Sequence, residues 1–229
     1  MKSASHQAMG YLLCRALERR GISLDREMFV LGNLLPDYLP ELILAPHFTM
    51  KCQREINVFT GVLATQRLGK PSQVPAQYSL RLGILCHYIT DYFCFAHTRE
   101  FKQNIIRHTA YEQELDDYFR AHYTERESLM PGLHSLNAGN ARECAQEIFR
   151  IKRLYKSTVR KHETDVRFAF TVCLLSVQKL LLLSARPQQS FCAASRFSPF
   201  TAEKYAFKPV LCRRRIVPKN AWCPLLPAA

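Results

Sequence analysis

The chain has 229 residues, of which 48% are hydrophobic and 22% charged, and these proportions are typical of one globular domain rather than of a disordered or fibrous protein. The formal net charge is +13, but residues 186–229 hold eight Lys and Arg against one acid, Glu203, while basic and acidic residues are interleaved in the body. The body therefore has no concentrated basic stripe, and nucleic acid is not favoured as a partner.

Residue usage favours helices. Leu, Arg, Glu and Ala dominate the first 185 residues and only eight glycines occur in the whole chain, so we expect an all-α, multi-helix bundle over residues 1–185. In residues 186–229, scattered prolines and the run Arg213 to Arg215 give no amphipathic period, which predicts a basic, poorly ordered tail. The nine cysteines are odd in number and form no CxxC pair, and no secretory signal precedes the body, which favours a reduced, cytoplasmic protein.

The first helix is predicted over residues 5–20, with Gly21 as its C-terminal stop. His6 lies in its first turn, on a face that is neither strongly apolar nor strongly charged. From periodicity alone, His6 is therefore interpreted as a surface or capping histidine.

The next polar candidates, Asp37 and His47, lie in a segment interrupted by proline. Pro36 and Pro40 predict an extended or turn conformation that holds Asp37 between apolar residues. Asp37 then either caps a turn through its side chain or, if buried, binds a cation. His47 follows Pro46 in a break between apolar segments, and a loop histidine alone indicates little.

The central motif is His87-Tyr-Ile-Thr-Asp91, which falls in a helix predicted over residues 77–95 after a helix at 54–68. Residues four apart stack on one helical face, so His87 and Asp91 lie together on or beside an apolar stripe. This pair is either a buried hydrogen bond or a metal site. His97 follows just past the next turn.

A second pair of the same spacing, His108 and Glu112, begins the next predicted helix, at 108–123. The simpler alternative for this pair is an exposed ion pair of small energetic value. His122 and His134 have no partner at metal-binding spacing and are interpreted as surface residues. Helices are also predicted at 141–155 and 157–184; the apolar run within the latter contains Gln178 and Lys179, so we expect a core helix and no transmembrane segment.

These polar residues form a series with a known counterpart. Their order is similar to the ligand series of the zinc-dependent phospholipase C family, whose fold is shared with single-strand-specific zinc nucleases: His6, Asp37, His47, His87, Asp91, His97, His108 and Glu112. The central HxxxD, the histidine six residues later and the HxxxE that follows are its specific part, and Gly-Asn-Leu-Leu-Pro-Asp37 resembles the family segment that presents the first carboxylate. The start of the chain resembles the intracellular bacterial members more than the secreted enzymes.

The resemblance implies a division of these residues among zinc ions. Asp37, His47, His87 and Asp91 would hold one zinc, and a second would be held by His97, His108 and Glu112. Asp91 would reach towards a third zinc shared with His6. Secreted members complete that third site with an N-terminal tryptophan, whereas the only tryptophan here is Trp222, so two zinc ions are expected and the third depends on another donor. Mixed imidazole and carboxylate ligands independently suit hydrolytic zinc.

The implied activity is zinc-dependent hydrolysis of a phosphoric ester, with a phospholipid head group or another phosphate ester as substrate. Asp37 is the residue that we expect to accept or orient the proton of the attacking water. Two alternatives remain at this point: a zinc nuclease of the same fold, or a metal-binding structural or regulatory protein with weak or no turnover. Complete ligand sets oppose the last, because apolar residues would fill a helical bundle at lower cost.

Overall fold

The computed structural model of the chain describes residues 1–38, 49–68, 74–101, 104–122 and 129–185. Within these ranges the regular structure is entirely helical, which confirms the all-α prediction. Two short 3₁₀ turns, Phe95–His97 and Arg99–Phe101, lie between the fourth and fifth helices. The helices are α1 Ser3–Glu18, α2 Arg26–Tyr38, α3 Thr49–Thr65, α4 Ala76–Tyr92, α5 Ile105–Ala121, α6 Ala141–Ser157 and α7 His162–Ala185. The predicted tail at 186–229 and His47 lie outside the described residues.

Helix α4 forms the centre of the bundle. Every residue from Tyr78 to Tyr92 is buried except Arg81, because α2, α3 and α7 all pack against this helix. A helix covered on all sides is expected to be apolar around its circumference. His87 and Asp91 are therefore buried polar residues in the middle of the core, and both need partners.

Helices α2 and α4 cross with their backbones in direct contact. A Cβ atom on Gly32 would lie 2.1 Å from the carbonyl oxygen of Leu80, and a Cβ on Gly83 would lie 2.1 Å from the carbonyl oxygen of Phe29. Glycine is unfavourable inside a helix by about 1 kcal/mol relative to alanine, so these two glycines are explained by the close approach that they permit. The crossing also brings Asn33 of α2 next to His87 of α4.

We expect Gly83→Ala to lower the free energy of unfolding by about 2–3 kcal/mol, because the added methyl group must push two backbones apart. Urea unfolding would measure the change. Gly10→Ala is the matched control: the new Cβ would meet the side chain of Val30 at 3.3 Å, and the better helix propensity of alanine offsets that contact. Equal stability of the two variants would contradict the close-crossing argument.

Helix α7 is long and apolar enough to span a membrane by length and composition, and it is the one such helix among the described residues. Its apolar window is 67% buried inside the protein. Core residues such as Phe168, Phe170 and Val172 are fully buried within it. The observed packing agrees with the predicted core helix, because a mostly buried core helix passes the same test of length and composition.

Two local predictions at the N-terminal end are wrong. Asp37 does not lie in an extended segment but in the last turn of α2, which contains Pro36. A proline this close to the end of a helix removes the bond to the carbonyl four residues earlier, while the helix runs on to Tyr38. His6 is not at the surface but fully buried, because α1 begins at Ser3 and His6 lies on the face of this helix that packs into the core.

Candidate metal centre

The first cluster comprises His6 of α1 and His87 and Asp91 of α4, all fully or almost fully buried. His6 Nε2 lies 3.2 Å from Asp91 Oδ1, and His87 Nε2 lies 3.4 Å from Asp91 Oδ2. The two imidazole rings are stacked with centroids 4.0 Å apart. Nitrogen and oxygen donors from two helices thus converge on one small volume, with all three donor atoms within 4.8 Å of one another.

Asp37 borders the first cluster from the end of α2. Its Oδ1 lies 3.8 Å from His87 Nε2, while its Oδ2 accepts a hydrogen bond from the hydroxyl of Ser3 at 2.8 Å. The Asp37 side chain is 21% exposed, whereas that of Asp91 is 1% exposed. Asp37 is therefore the carboxylate of this region that solvent and a bound substrate can reach.

The second cluster comprises His97, His108 and Glu112. Glu112 Oε1 lies 3.1 Å from His97 Nε2 and 3.3 Å from His108 Nε2. The sequence alternative, an exposed ion pair between His108 and Glu112, does not describe this arrangement, because both are partly buried against His97. The 3₁₀ turn Phe95–His97 places His97, and one face of α5 places the other two.

The two clusters meet at a single atom, Asp91 Oδ1. This oxygen lies 3.2 Å from His6 Nε2 in the first cluster and 3.3 Å from His97 Nε2 in the second. The α-amino group of Met1 lies beside it, at 2.7 Å from Asp91 Oδ1, 2.9 Å from His97 Nε2 and 3.0 Å from Glu112 Oε1. The side chains of both clusters thus already surround one buried positive charge.

Two backbone carbonyls fix the protonation of the ring nitrogens. His87 Nδ1 lies 2.9 Å from the carbonyl oxygen of Asn33, and His108 Nδ1 lies 3.0 Å from that of Ala96. A carbonyl oxygen only accepts, so each Nδ1 carries the hydrogen and donates it. In the neutral ring Nε2 then has a free lone pair, which is the usual arrangement of histidines that bind metals.

Electrostatics favour ionised carboxylates, whereas the four histidines differ: burial lowers the pKa of His6 and His97, while neighbouring carboxylates raise the pKa of His87 and His108. Burial lowers the pKa of His6 to about 4, so this ring is neutral at physiological pH. Burial also opposes ionisation of Asp91, yet His97, the Met1 amino group and the other imidazoles hold the pKa of its carboxyl well below the usual range. The pKa of Glu112 is lowered in spite of burial, by the Met1 amino group and the hydrogen bonds of His108 and His97.

Comparison with known proteins agrees with this geometry. The family model for zinc-dependent phospholipase C matches residues 5–163, more than half of the chain. The chain belongs to the zinc-dependent phospholipase C family. The matched range includes all eight residues singled out from the sequence and covers the helices from α1 to the start of α7. No curated protein and no solved structure matches the chain.

Family membership makes the protein a zinc-dependent hydrolase of phosphoric esters. The donor sets fit the metal, since each cluster offers imidazole nitrogen and carboxylate oxygen without thiolate, as in hydrolytic zinc sites. His6 adds a further sign of fit: its Nδ1 is buried and has no hydrogen-bond partner among the described residues. The described ranges contain two groups of His with Asp or Glu that could each hold a metal ion, in line with a site for clustered zinc.

Several residues that support the phospholipase C site were not found by sequence reasoning. Ser3 holds Asp37, and the carbonyls of Asn33 and Ala96 hold the two histidines. Backbone groups carry no side-chain signal, so periodicity and spacing could not identify the carbonyls. The aromatic residues beside the central motif behave as core: Tyr88, Tyr92 and Phe93 are buried.

Proposed function

We propose that the protein hydrolyses a phospholipid head-group ester, with the first and second clusters as its zinc ligands. The observation that carries this proposal is the convergence of both clusters on Asp91. The hydrogen bonds on Nδ1 of His87 and His108 direct the Nε2 atoms of these rings towards the carboxylates of Asp91 and Glu112. Asp37 and His47 would join His87 and Asp91 of the first cluster at one zinc. His6, the remaining member of that cluster, would share Asp91 at a third zinc.

Zinc bound there supplies the positive charge that lowers the pKa of a water molecule and stabilises the phosphoryl oxygens in the transition state. The protein supplies the acceptor for the proton of that water. Three observations support Asp37 in this role: its carboxylate borders the first cluster, it is partly exposed, and the hydroxyl of Ser3 donates to its Oδ2.

Exposed apolar side chains next to the clusters favour an amphiphilic substrate. Tyr38, 58% exposed, follows Asp37, and Ile105, 74% exposed, lies one turn before His108 on the same face of α5. Met50, 75% exposed, follows Thr49, whose hydroxyl donates to the carbonyl of His97. Apolar groups around a polar site suit the acyl region of a phospholipid better than the phosphate backbone of single-stranded DNA.

A direct comparison of two substrates tests the proposal. The zinc-loaded protein is incubated with a short-chain phosphatidylcholine and, separately, with single-stranded DNA at matched phosphate concentration. We expect release of the phosphorylated head group and little cleavage of DNA. A chelator should abolish the release of the head group, and added zinc should restore it. Faster cleavage of DNA would replace the phospholipase proposal with a nuclease.

We also propose a reducing compartment such as the cytoplasm for this activity. The six cysteines in the described ranges are buried thiols outside any disulfide: Cys14, Cys52, Cys86, Cys94, Cys144 and Cys173. Burial raises the pKa of the Cys14 thiol to about 12, so it behaves as a small apolar side chain.

A further inference from the structure

Asp165, in the first turn of α7, is a fully buried carboxylate that no part of the zinc site contains. It lies two residues beyond the range matched by the family model. Its Oδ1 accepts a hydrogen bond from the hydroxyl of Tyr155 at 2.6 Å. Its Oδ2 accepts two, from the backbone N–H of Phe95 at 2.8 Å and the hydroxyl of Tyr111 at 2.9 Å. A buried acid with three donors is a built arrangement that holds several elements together.

The bond to Phe95 fixes the turn that carries His97. Phe95 is the first residue of the 3₁₀ turn Phe95–His97, and the preceding Cys94 offers no side-chain cap for the N–H groups of that turn. An uncapped N–H in a buried turn needs an acceptor from elsewhere. Asp165 supplies it from α7, a different part of the chain.

The bond to Tyr111 ties the same oxygen to α5. Tyr111 directly precedes Glu112 and lies three residues after His108, so its hydroxyl anchors the helix that carries the other two members of the second cluster. The turn and the helix are linked a second time, because His108 Nδ1 donates to the carbonyl of Ala96 within the turn. A shift of the turn would therefore move His97 and release His108 together.

The charge of Asp165 has a counterpart on α6. The ammonium group of Lys152 is buried, lies 3.9 Å from the centroid of the Tyr155 ring and has no hydrogen-bond partner among the described residues. The hydroxyl of Tyr155 donates to Asp165, so this ring lies between the cation and the carboxylate. Burial raises the pKa of the Asp165 carboxyl, and the three hydrogen bonds and the nearby ammonium group partly offset this effect.

We propose that Asp165 is a positioning residue for the second cluster, acting through the Phe95 N–H and the Tyr111 hydroxyl to set the distance between His97 and the pair His108 and Glu112. The role rests on the proposed zinc function of that cluster. Residues that orient metal ligands in this way change metal affinity by about 10–100-fold when they are replaced.

Tyr111 and Tyr155 both donate a hydroxyl hydrogen bond to Asp165, and removing each hydroxyl in turn distinguishes a positioning role from a contribution to overall stability. Tyr111→Phe removes the donor on the helix of the second cluster, whereas Tyr155→Phe removes a donor on α6, which carries none of the described cluster residues. We expect Tyr111→Phe to weaken zinc at the second cluster and Tyr155→Phe to leave it unchanged. Equal effects of the two on zinc affinity would overturn the proposal.

The measurement is a titration of the full-length protein with zinc against a chromophoric chelator, which resolves the affinity of each zinc, together with the absorption spectrum of the cobalt-loaded protein. Asp165→Ala is expected to weaken the second-cluster zinc by about 10–100-fold and the first-cluster zinc, which is coupled to it through Asp91, much less. Asp165→Asn is expected to restore most of that affinity, because its amide oxygen still accepts from Phe95 and Tyr111.

The outcomes distinguish this inference from the proposed function. A parent protein that binds no zinc would overturn both. A parent that binds zinc at both clusters, with Asp165→Ala unchanged in each affinity and in its cobalt spectrum, would overturn the positioning role alone. Parallel loss at both clusters, with a lower melting temperature, would show that Asp165 only stabilises the fold.

Discussion

Zinc content is expected to fall sharply, and hydrolysis of phosphate esters to drop by at least about 1000-fold, when His87 is replaced with alanine. His87 is fully buried between Asp91 and Asp37, and its Nε2 lies 3.4 Å from Asp91 Oδ2 and 3.8 Å from Asp37 Oδ1. Its removal leaves two carboxylates next to each other without a donor between them. The lost donor and the disturbed Asp91 then weaken the first cluster, and through Asp91 Oδ1 the second.

Elemental analysis of protein purified without added metal or chelator would measure this effect. We expect at least two zinc ions in the parent, one for each cluster. The matched control is His122→Ala, which removes an exposed histidine from the end of α5 outside both clusters and should retain zinc and activity. A parent value near zero that added zinc does not restore would disprove the assignment of these clusters as the zinc site.

Asp37→Asn is expected to lower kcat by about 100–10,000-fold while zinc is retained, the range typical of a lost general base. The amide preserves the size of the side chain and an oxygen that accepts from the hydroxyl of Ser3, but it has no basicity. Zinc is expected to stay bound because the amide oxygen can still act as a ligand, and His87, Asp91 and the second cluster keep their donors. KM should change little, because the substitution removes a group that acts in the transition state.

Steady-state kinetics and zinc analysis on the same preparation test this prediction. Asp117→Asn is the control, since Asp117 is an exposed carboxylate on α5 that accepts a local hydrogen bond from Gln113 and belongs to neither cluster. Unchanged turnover in Asp37→Asn with zinc retained would remove Asp37 from the reaction. Loss of zinc together with turnover would show instead that Asp37 acts mainly as a ligand.

The sequence was sufficient for the fold class and for the two histidine–carboxylate pairs of the candidate site, because these signals are local. Helical spacing places His87 with Asp91 and His108 with Glu112 wherever those helices pack. The burial of His6 could not be deduced, since it depends on how α1 meets α4, and neither could the helical conformation of Asp37 next to Pro36. His47 lies outside the described residues, so its predicted role stays a prediction.

Asp165 shows the limit of such reasoning most directly. A charged residue near the start of a helix is normally interpreted as favourable to the helix dipole, and Asp165 lies in the first turn of α7. Its three donors come from residues 10, 54 and 70 positions away in the chain. One signal was available: Asp165 shares a helical face with Phe168, Ala169 and Val172, all fully buried, and an acid on such a face needs partners.

The sharing of Asp91 Oδ1 by both clusters has a consequence for metal loading. Asp91 Oδ1 lies within 3.3 Å of an imidazole from each cluster, so two ions bound at the two clusters would not bind independently. An ion on either side alters the charge and the orientation of that oxygen for the other, and thermodynamic linkage makes the effect reciprocal. The apoprotein, the half-loaded protein and the fully loaded protein are therefore three states of one coupled equilibrium, in which the first ion to bind sets the affinity for the next.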